Sequence, residues 1–122
     1  MAIDKFPPFN SVLKGAIGSE LDIVTFIRDY WQITFNNYSF SVLSSLRVTG
    51  NGWSVRDKEA GFRDRLCNCI GHKVEQASHC EDCITFSLDN GCSIEISLRD
   101  EDYQGPEAVN FKDPVTGLFY VF

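Results

Sequence analysis

The chain has 122 residues, 43% of them hydrophobic, so it is long enough and apolar enough to fold as one globular domain. Its formal net charge of −6 disfavours nucleic acid as a partner, because phosphate contacts require lysine and arginine. The sequence has no apolar run of signal-peptide or membrane-span length, and its 5 cysteines, an odd count, favour free thiols. We therefore expect a cytoplasmic protein.

The N-terminal region begins with a segment that disfavours regular structure. Pro7-Pro8 excludes a regular helix or a central strand, so residues 1–12 are predicted to form a flexible arm. The following stretch, residues 13–27, is rich in apolar and β-branched residues and is interpreted as a strand or a short helix. It opens the first predicted β unit, residues 13–55.

The rest of the first β unit alternates between apolar and polar residues. Residues 30–35 and 38–42 have a period of two, which predicts two strands with Asn36-Asn37 as their turn. Residues 46–49 extend this hairpin or start another strand, and residues 53–55 predict a short strand after the glycine-rich turn 50–52.

The best helix signal follows. Phe62, Leu66 and Cys69/Ile70 are spaced as one apolar stripe, which predicts a helix over residues 57–70 within the segment 56–70. Asp57 is the expected N-cap, with Ser54 as the alternative, and Gly71 is the expected stop. We expect this one main helix to pack on the sheet.

The second β unit, residues 71–122, contains the most secure hairpin. Residues 83–88 and 93–98 alternate strictly on either side of Asn90-Gly91, which predicts a tight type I′ turn with φ > 0 at both central residues. An acidic loop (99–106), a strand (107–111), a turn (113–117) and a final strand (118–122) complete the predicted chain.

The two halves of the sequence resemble each other. Leu13-x-x-Ala16-Ile17-Gly18 matches Leu66-x-x-Cys69-Ile70-Gly71, and Ile33-Thr34-Phe35 matches Ile84-Thr85-Phe86. The echo predicts two duplicated β-hairpin units that pair into one antiparallel sheet, and the alternative is that any two amphipathic hairpins look alike. The predicted fold class is α+β, mainly antiparallel β-sheet.

Cysteine and histidine provide the one metal-like pattern. Two cysteine pairs, flanked by His72 and His79, have the residue types that zinc prefers, although Cys67 and Cys69 would diverge on a helix. The pairs are Cys67 with Cys69 and Cys80 with Cys83. A structural or sensory metal module is therefore the alternative hypothesis, against free thiols that pack as small hydrophobes. No phosphate-binding glycine loop or nucleophile motif is present, so we expect neither catalysis nor a cofactor.

Acidic residues are concentrated in the second half of the chain. Between Glu75 and Glu107 there are nine acids and one base, Arg99. Such a surface either keeps the protein soluble or attracts a basic protein partner. The predicted partner-binding residues are Glu81, Asp82, Asp100, Glu101, Asp102 and Tyr103.

Three segments of the second half together resemble a protein family. They read Ile-Gly-x-Lys-Val at 70–74, Ile-Thr-Phe-x-Leu-Asp-Asn-Gly-x-x-Ile-x-Ile at 84–96, and Pro-Glu-Ala-Val-x-Phe at 106–111. This frame is similar to small β-rich bacterial immunity proteins of toxin–immunity systems, including contact-dependent growth inhibition. The resemblance implies a cytoplasmic inhibitor that neutralises the C-terminal domain of a cognate toxin, often a basic nuclease, by forming a stoichiometric complex.

Overall fold

The computed structural model describes residues 8–122. In this part of the chain two short helices, α1 (Phe9–Lys14) and α2 (Phe62–Cys67), accompany ten strands and the 3-10 turn Asp100–Asp102. The strands are β1 (Leu21–Ile27), β2 (Tyr30–Phe35), β3 (Tyr38–Val42), β4 (Leu46–Gly50), β5 (Trp53–Arg56), β6 (Val74–His79), β7 (Cys83–Leu88), β8 (Ser93–Ser97), β9 (Val109–Lys112) and β10 (Phe119–Val121). The fold is thus mainly antiparallel β-sheet.

The strands form two five-stranded sheets, with orders β1-β2-β3-β9-β10 and β5-β4-β8-β7-β6. The chain crosses between them twice. After β3 it enters the second sheet, where the β4–β5 hairpin pairs with β8, and after β8 it returns, so that the β9–β10 hairpin pairs with β3. Each half of the sequence therefore completes the sheet built by the other half.

The two sheets share one hydrophobic core. Phe35 and Phe40 of the first sheet contact Phe86 of the second sheet, with ring centroids 4.5 and 5.2 Å apart. All three side chains are fully buried. The alternation recognised in β2, β3 and β7 explains this placement, because every second side chain of a strand points to the same face.

Each helix packs a phenylalanine side chain against other aromatic rings at the core. Phe9 of α1 packs against Phe122 and Phe111, with ring centroids 4.7 and 5.8 Å apart. Phe62 of α2 packs against Trp31 of β2 at 5.0 Å. Both helices have only six residues, so packing of these apolar side chains rather than helix propensity must hold them in place.

Equivalent backbone hydrogen bonds run in both directions between the two halves of the chain. The N–H of Gly18 donates to the carbonyl of Val74 (2.8 Å), and the N–H of Gly71 donates to the carbonyl of Leu21 (2.7 Å). The two donors, Gly18 and Gly71, are 53 positions apart in the sequence, and so are the two acceptors, Leu21 and Val74. Gly18 and Gly71 also share a left-handed backbone, with φ of +91° and +93°. The sequence echo thus corresponds to equivalent backbone geometry in the two halves.

The prediction of one sheet is wrong. The strands form two sheets, and an isolated antiparallel bridge between Glu20 and Lys73, outside the named strands, links the sheets beside their edge strands β1 and β6. Because both sheets carry a buried apolar face, packing face to face removes more apolar surface from water than extending one sheet edge to edge.

The prediction of one main helix over residues 57–70 is also wrong. Within this segment only Phe62–Cys67 is helical, and its N-cap position is Gly61 rather than Asp57. The carboxylate of Glu59 accepts a hydrogen bond from the N–H of Arg56 (2.6 Å), which stabilises a turn before the helix. Phe62, Leu66 and Cys69 are buried as the stripe predicted, whereas Ile70 is exposed.

The predicted N-terminal arm is wrong where the structure describes it. Residues 9–12 belong to α1, whose Phe9, Val12 and Leu13 are buried. Pro8 directly precedes this helix, where a missing N–H costs nothing. The earlier part of the predicted arm, residues 1–7, lies outside the described residues.

The hairpin predicted around Asn90-Gly91 is confirmed as β7–β8, but its turn differs from the predicted type. The N–H of Leu88 donates to the carbonyl of Cys92 (2.8 Å), which closes a loop of three residues rather than two. Of these, Gly91 has a positive φ (+82°), and Asn90 does not. The side chain of Asn90 instead accepts a hydrogen bond from the N–H of Cys92 (3.0 Å). Three-residue loops with a residue in the left-handed conformation are the next most common hairpin connection after two-residue turns.

Candidate partner-binding surface

The two acidic runs predicted from the sequence lie side by side. Glu81 and Asp82 form the two-residue turn between β6 and β7, and the 3-10 turn follows β8. Because β7 and β8 are antiparallel, Cys83 at the start of β7 lies opposite Ser97 at the end of β8. The carbonyl of Asp82 accepts a hydrogen bond from the N–H of Leu98 (2.8 Å), which ties the two segments together. We call Glu81, Asp82, Asp100, Glu101 and Asp102 the acidic cluster.

Asp102 differs from the other members because it is bound on both carboxylate oxygens. Its Oδ1 lies 3.2 Å from Nη2 of Arg56 on β5, and its Oδ2 accepts a hydrogen bond from Oγ of Ser97 on β8 (2.5 Å). Its side chain is only 16% exposed. These contacts anchor the 3-10 turn to the sheet, so Asp102 positions the cluster rather than offering a free charge.

The cluster borders a small polar cleft of about 190 Å³. Four carboxylates and three guanidinium groups line it: Asp82, Glu95, Glu101 and Asp102, with Arg47, Arg56 and Arg99. Arg47 and Glu95 are cross-strand partners in the β4–β8 pair. The predicted surface is therefore less negative than the sequence count indicates, because β4 and β5 bring two arginines from the first half of the chain.

A larger groove of about 900 Å³ lies next to the cleft. Both cavities are lined by Ser45, Arg56, Glu101 and Asp102, so they form one continuous surface. Phe26, Ile27 and Leu43 line the groove with 41%, 36% and 39% of their surface exposed. The sequence did not single these three residues out, since nothing separates them from core residues in apolar strands.

Tyr103 connects the acidic cluster to the groove. Its side chain lines the groove, and its hydroxyl donates a hydrogen bond to Asp100 (3.2 Å). Desolvation, and to a lesser extent the Asp100 carboxylate, raises the pKa of Tyr103, so the hydroxyl remains a donor at neutral pH. Tyr30 and Trp31 also line this groove. Tyr38 and Trp53 pack elsewhere, the first against Phe111 and the second beneath Arg65.

The cysteines and histidines of the alternative metal hypothesis do not converge. Among residues 8–122, no three His, Cys, Asp or Glu side chains are placed to hold a metal ion together. Cys80 and Cys83 form one pair, whereas buried Cys69 contacts Cys92 and exposed Cys67 lies at the end of α2. His72 instead pairs with Asp89, 2.9 Å away, and the ring of His79 packs on Phe9.

Comparison with known proteins adds no relative. No family model matches the chain, and no curated protein or solved structure gives a significant match. The family resemblance of the second half therefore rests on its sequence frame alone.

No helix in the described part of the chain is long and apolar enough to cross a bilayer.

Proposed function

We propose that this chain is a stoichiometric protein inhibitor of the immunity type, which binds a basic toxin domain through the acidic cluster and the adjacent groove. The proposal rests on the continuity of these two features, because exposed apolar residues and exposed carboxylates form one surface. Protein interfaces combine apolar anchors with a polar rim in this way. The sequence frame shared with bacterial immunity proteins supports the same class of partner.

The acidic cluster and the groove are expected to contribute differently to binding. Glu81, Asp82 and Glu101 are exposed, so water screens their attraction to a partner and limits their effect on affinity. Their field acts at longer range and speeds the encounter with a basic surface. The apolar side chains of the groove, Leu43 among them, are desolvated only in the complex and should therefore control its dissociation.

The first experiment is co-expression with the C-terminal domain of the protein encoded immediately upstream. We expect that domain to kill cells alone, and this chain to rescue them and to co-purify in a 1:1 complex. Absence of both toxicity and complex would overturn the proposal.

Charge variants of the complex locate the surface. The variant Glu81→Gln/Asp82→Asn/Glu101→Gln should slow association about tenfold at low salt and leave dissociation nearly unchanged. The matched control, Asp22→Asn/Asp64→Asn/Glu75→Gln, removes three exposed charges outside the cluster and should slow association far less. Equal slowing by both variants would show that net charge, not this cluster, attracts the partner.

An apolar truncation tests the groove separately. Leu43→Ala should speed dissociation about tenfold, which corresponds to the roughly 1.4 kcal/mol expected for a partly buried anchor. Val115 provides a control because it is 81% exposed on the turn between β9 and β10, so Val115→Ala should have no effect. An unchanged dissociation rate for Leu43→Ala would exclude the groove from the interface.

We also infer that the two β units are duplicated copies of one unit. The reciprocal hydrogen bonds of Gly18 and Gly71 support this inference, since chance similarity of two hairpins would not reproduce contacts between them. The test is whether Gly18→Ala and Gly71→Ala lower the free energy of unfolding by similar amounts.

A further inference from the structure

A pair of thiols lies at the end of the β6–β7 hairpin. Cys80 and Cys83 flank the two-residue turn Glu81-Asp82, directly beyond the last cross-strand pair, His79 and Ile84. The N–H of Cys80 donates to the carbonyl of Cys83 (2.9 Å), and the two Sγ atoms are 3.3 Å apart. The proposed function does not use either thiol.

The backbone geometry suits a disulfide between these residues. Directly opposed residues of an antiparallel pair have Cα atoms about 4.5–5.5 Å apart, within the range of about 4.4–6.8 Å that disulfides span. A disulfide has an S–S length of about 2.05 Å, so the sulfur atoms of Cys80 and Cys83 need to approach by about 1.2 Å. Small side-chain rotations can supply this movement without displacing the strands.

The two thiols have different environments. Cys80 is exposed, and the hydrogen bond from the Cys83 thiol, followed by backbone hydrogen bonds, lowers its pKa. Cys83 is half-buried, and burial raises its pKa to about 11. An accessible, more acidic thiol next to a shielded one is the arrangement in which one sulfur attacks a disulfide and the other resolves the product.

The other cysteines lack this arrangement. Cys69 is fully buried, which raises its pKa to about 11 and closes it to an oxidant, although Cys92 lies beside it. Cys67 is exposed at the end of α2. Cys69 and Cys92 therefore serve as internal comparisons for the reactivity of the pair.

We propose that Cys80 and Cys83 form a redox-active dithiol site that takes a disulfide, such as a small-molecule glutathione-type disulfide, as its oxidant. The Cys80 thiolate attacks one sulfur of the oxidant, whose S–S bond breaks and releases one thiolate. Cys83 then loses its proton to solvent, and its sulfur attacks Sγ of Cys80 and displaces the second thiolate. The dithiol is oxidised by two electrons, and the oxidant is reduced to two thiols.

The experiment uses the full chain carrying Cys67→Ser, which removes the exposed thiol outside the pair. The protein is equilibrated in glutathione buffers of increasing oxidised fraction, alkylated, and analysed by mass spectrometry. A protease that cleaves after glutamate cuts at Glu81, between the two cysteines, so their peptides stay linked only through a disulfide. We expect loss of two thiols in one transition and a Cys80–Cys83 link.

Two further substitutions in the same background separate the roles. Cys83→Ser should stop at a mixed disulfide between Cys80 and glutathione. Cys80→Ser should slow thiol loss about tenfold or more at neutral pH, because the remaining Cys83 thiol is rarely ionised. The proposal is overturned if both thiols stay free in excess glutathione disulfide, if the link joins Cys69 and Cys92 instead, or if Cys83→Ser gives the same product as its parent.

Discussion

Replacement of Asp102 by alanine should destabilise the protein because Asp102 anchors the 3-10 turn under the acidic cluster. The hydrogen bond from Ser97 to a largely buried carboxylate is worth about 1.5–3 kcal/mol. The ion pair with Arg56 adds about 0.2–1 kcal/mol at most, since the Arg56 side chain is 43% exposed and screened by water. We expect a loss of about 2–3 kcal/mol in the free energy of unfolding.

Urea denaturation and thermal unfolding measure this loss. For a chain of 122 residues, 1 kcal/mol corresponds to roughly 3–5 °C in Tm, so Asp102→Ala should lower Tm by roughly 6–15 °C. Asp100→Ala is the matched control, because Asp100 lies in the same turn, is exposed, and bonds to Tyr103 alone among the described hydrogen bonds. The control should cost less than about 0.5 kcal/mol.

A double-mutant cycle isolates the Ser97 contact. If Asp102 and Ser97 act through one hydrogen bond, the double variant Asp102→Ala/Ser97→Ala should be less destabilised than the sum of the single variants by about 1–2 kcal/mol. Additive effects, or equal costs for Asp102→Ala and Asp100→Ala, would refute the assignment of an anchoring role. Asp102 would then belong with the exposed charges.

Three further predictions concern the core and the turns. Phe86→Ala should cost about 3–5 kcal/mol in urea denaturation, since it opens a cavity between the two sheets, and a cost below 1 kcal/mol would contradict this packing. Gly18→Ala and Gly71→Ala should each lower the free energy of unfolding by about 1–2 kcal/mol, and by similar amounts. An added Cβ would meet no atom within 4 Å at either position, so the cost comes from the left-handed backbone alone. Burial lowers the pKa of His79, so the unfolded chain binds its proton first and stability should fall as pH decreases below about 6.5. His79→Phe should weaken this fall in urea titrations between pH 7 and 5, and an unchanged pH profile would exclude His79 as its source.

The local β-structure was predictable from the sequence. The β2–β3 and β7–β8 hairpins follow from alternating residues, because period two places every apolar side chain on one face whatever the rest of the chain does. The predicted stripe of Phe62, Leu66 and Cys69/Ile70 is buried at Phe62, Leu66 and Cys69 for a similar reason, whereas Ile70 is exposed. The length of α2 was not predictable in this way, since the hydrogen bond of Glu59 to Arg56 competes locally with a first helical turn.

The residues of the acidic cluster could be predicted from the sequence, but two of the arginines that surround them could not. Its residues follow from composition, and their meeting follows from the β7–β8 register, which brings the turn after β6 next to the segment after β8. Arg47 and Arg56 of the cleft did not follow from the sequence, because the β4–β5 hairpin reaches the cleft only through the pairing of β4 with β8. The groove depends in the same way on residues from β1, the segment after β3 and the segment after β8.

The sequence alone determined the strands of the β2–β3 and β7–β8 hairpins, the apolar face of each of these strands, and the concentration of acidic residues in the second half. These properties depend on neighbours within a few residues and on side-chain direction. Tertiary structure alone decided that the strands divide into two sheets and that each half lends a hairpin to the other. That choice depends on burying two apolar faces against each other, a non-local gain that a local pattern does not encode.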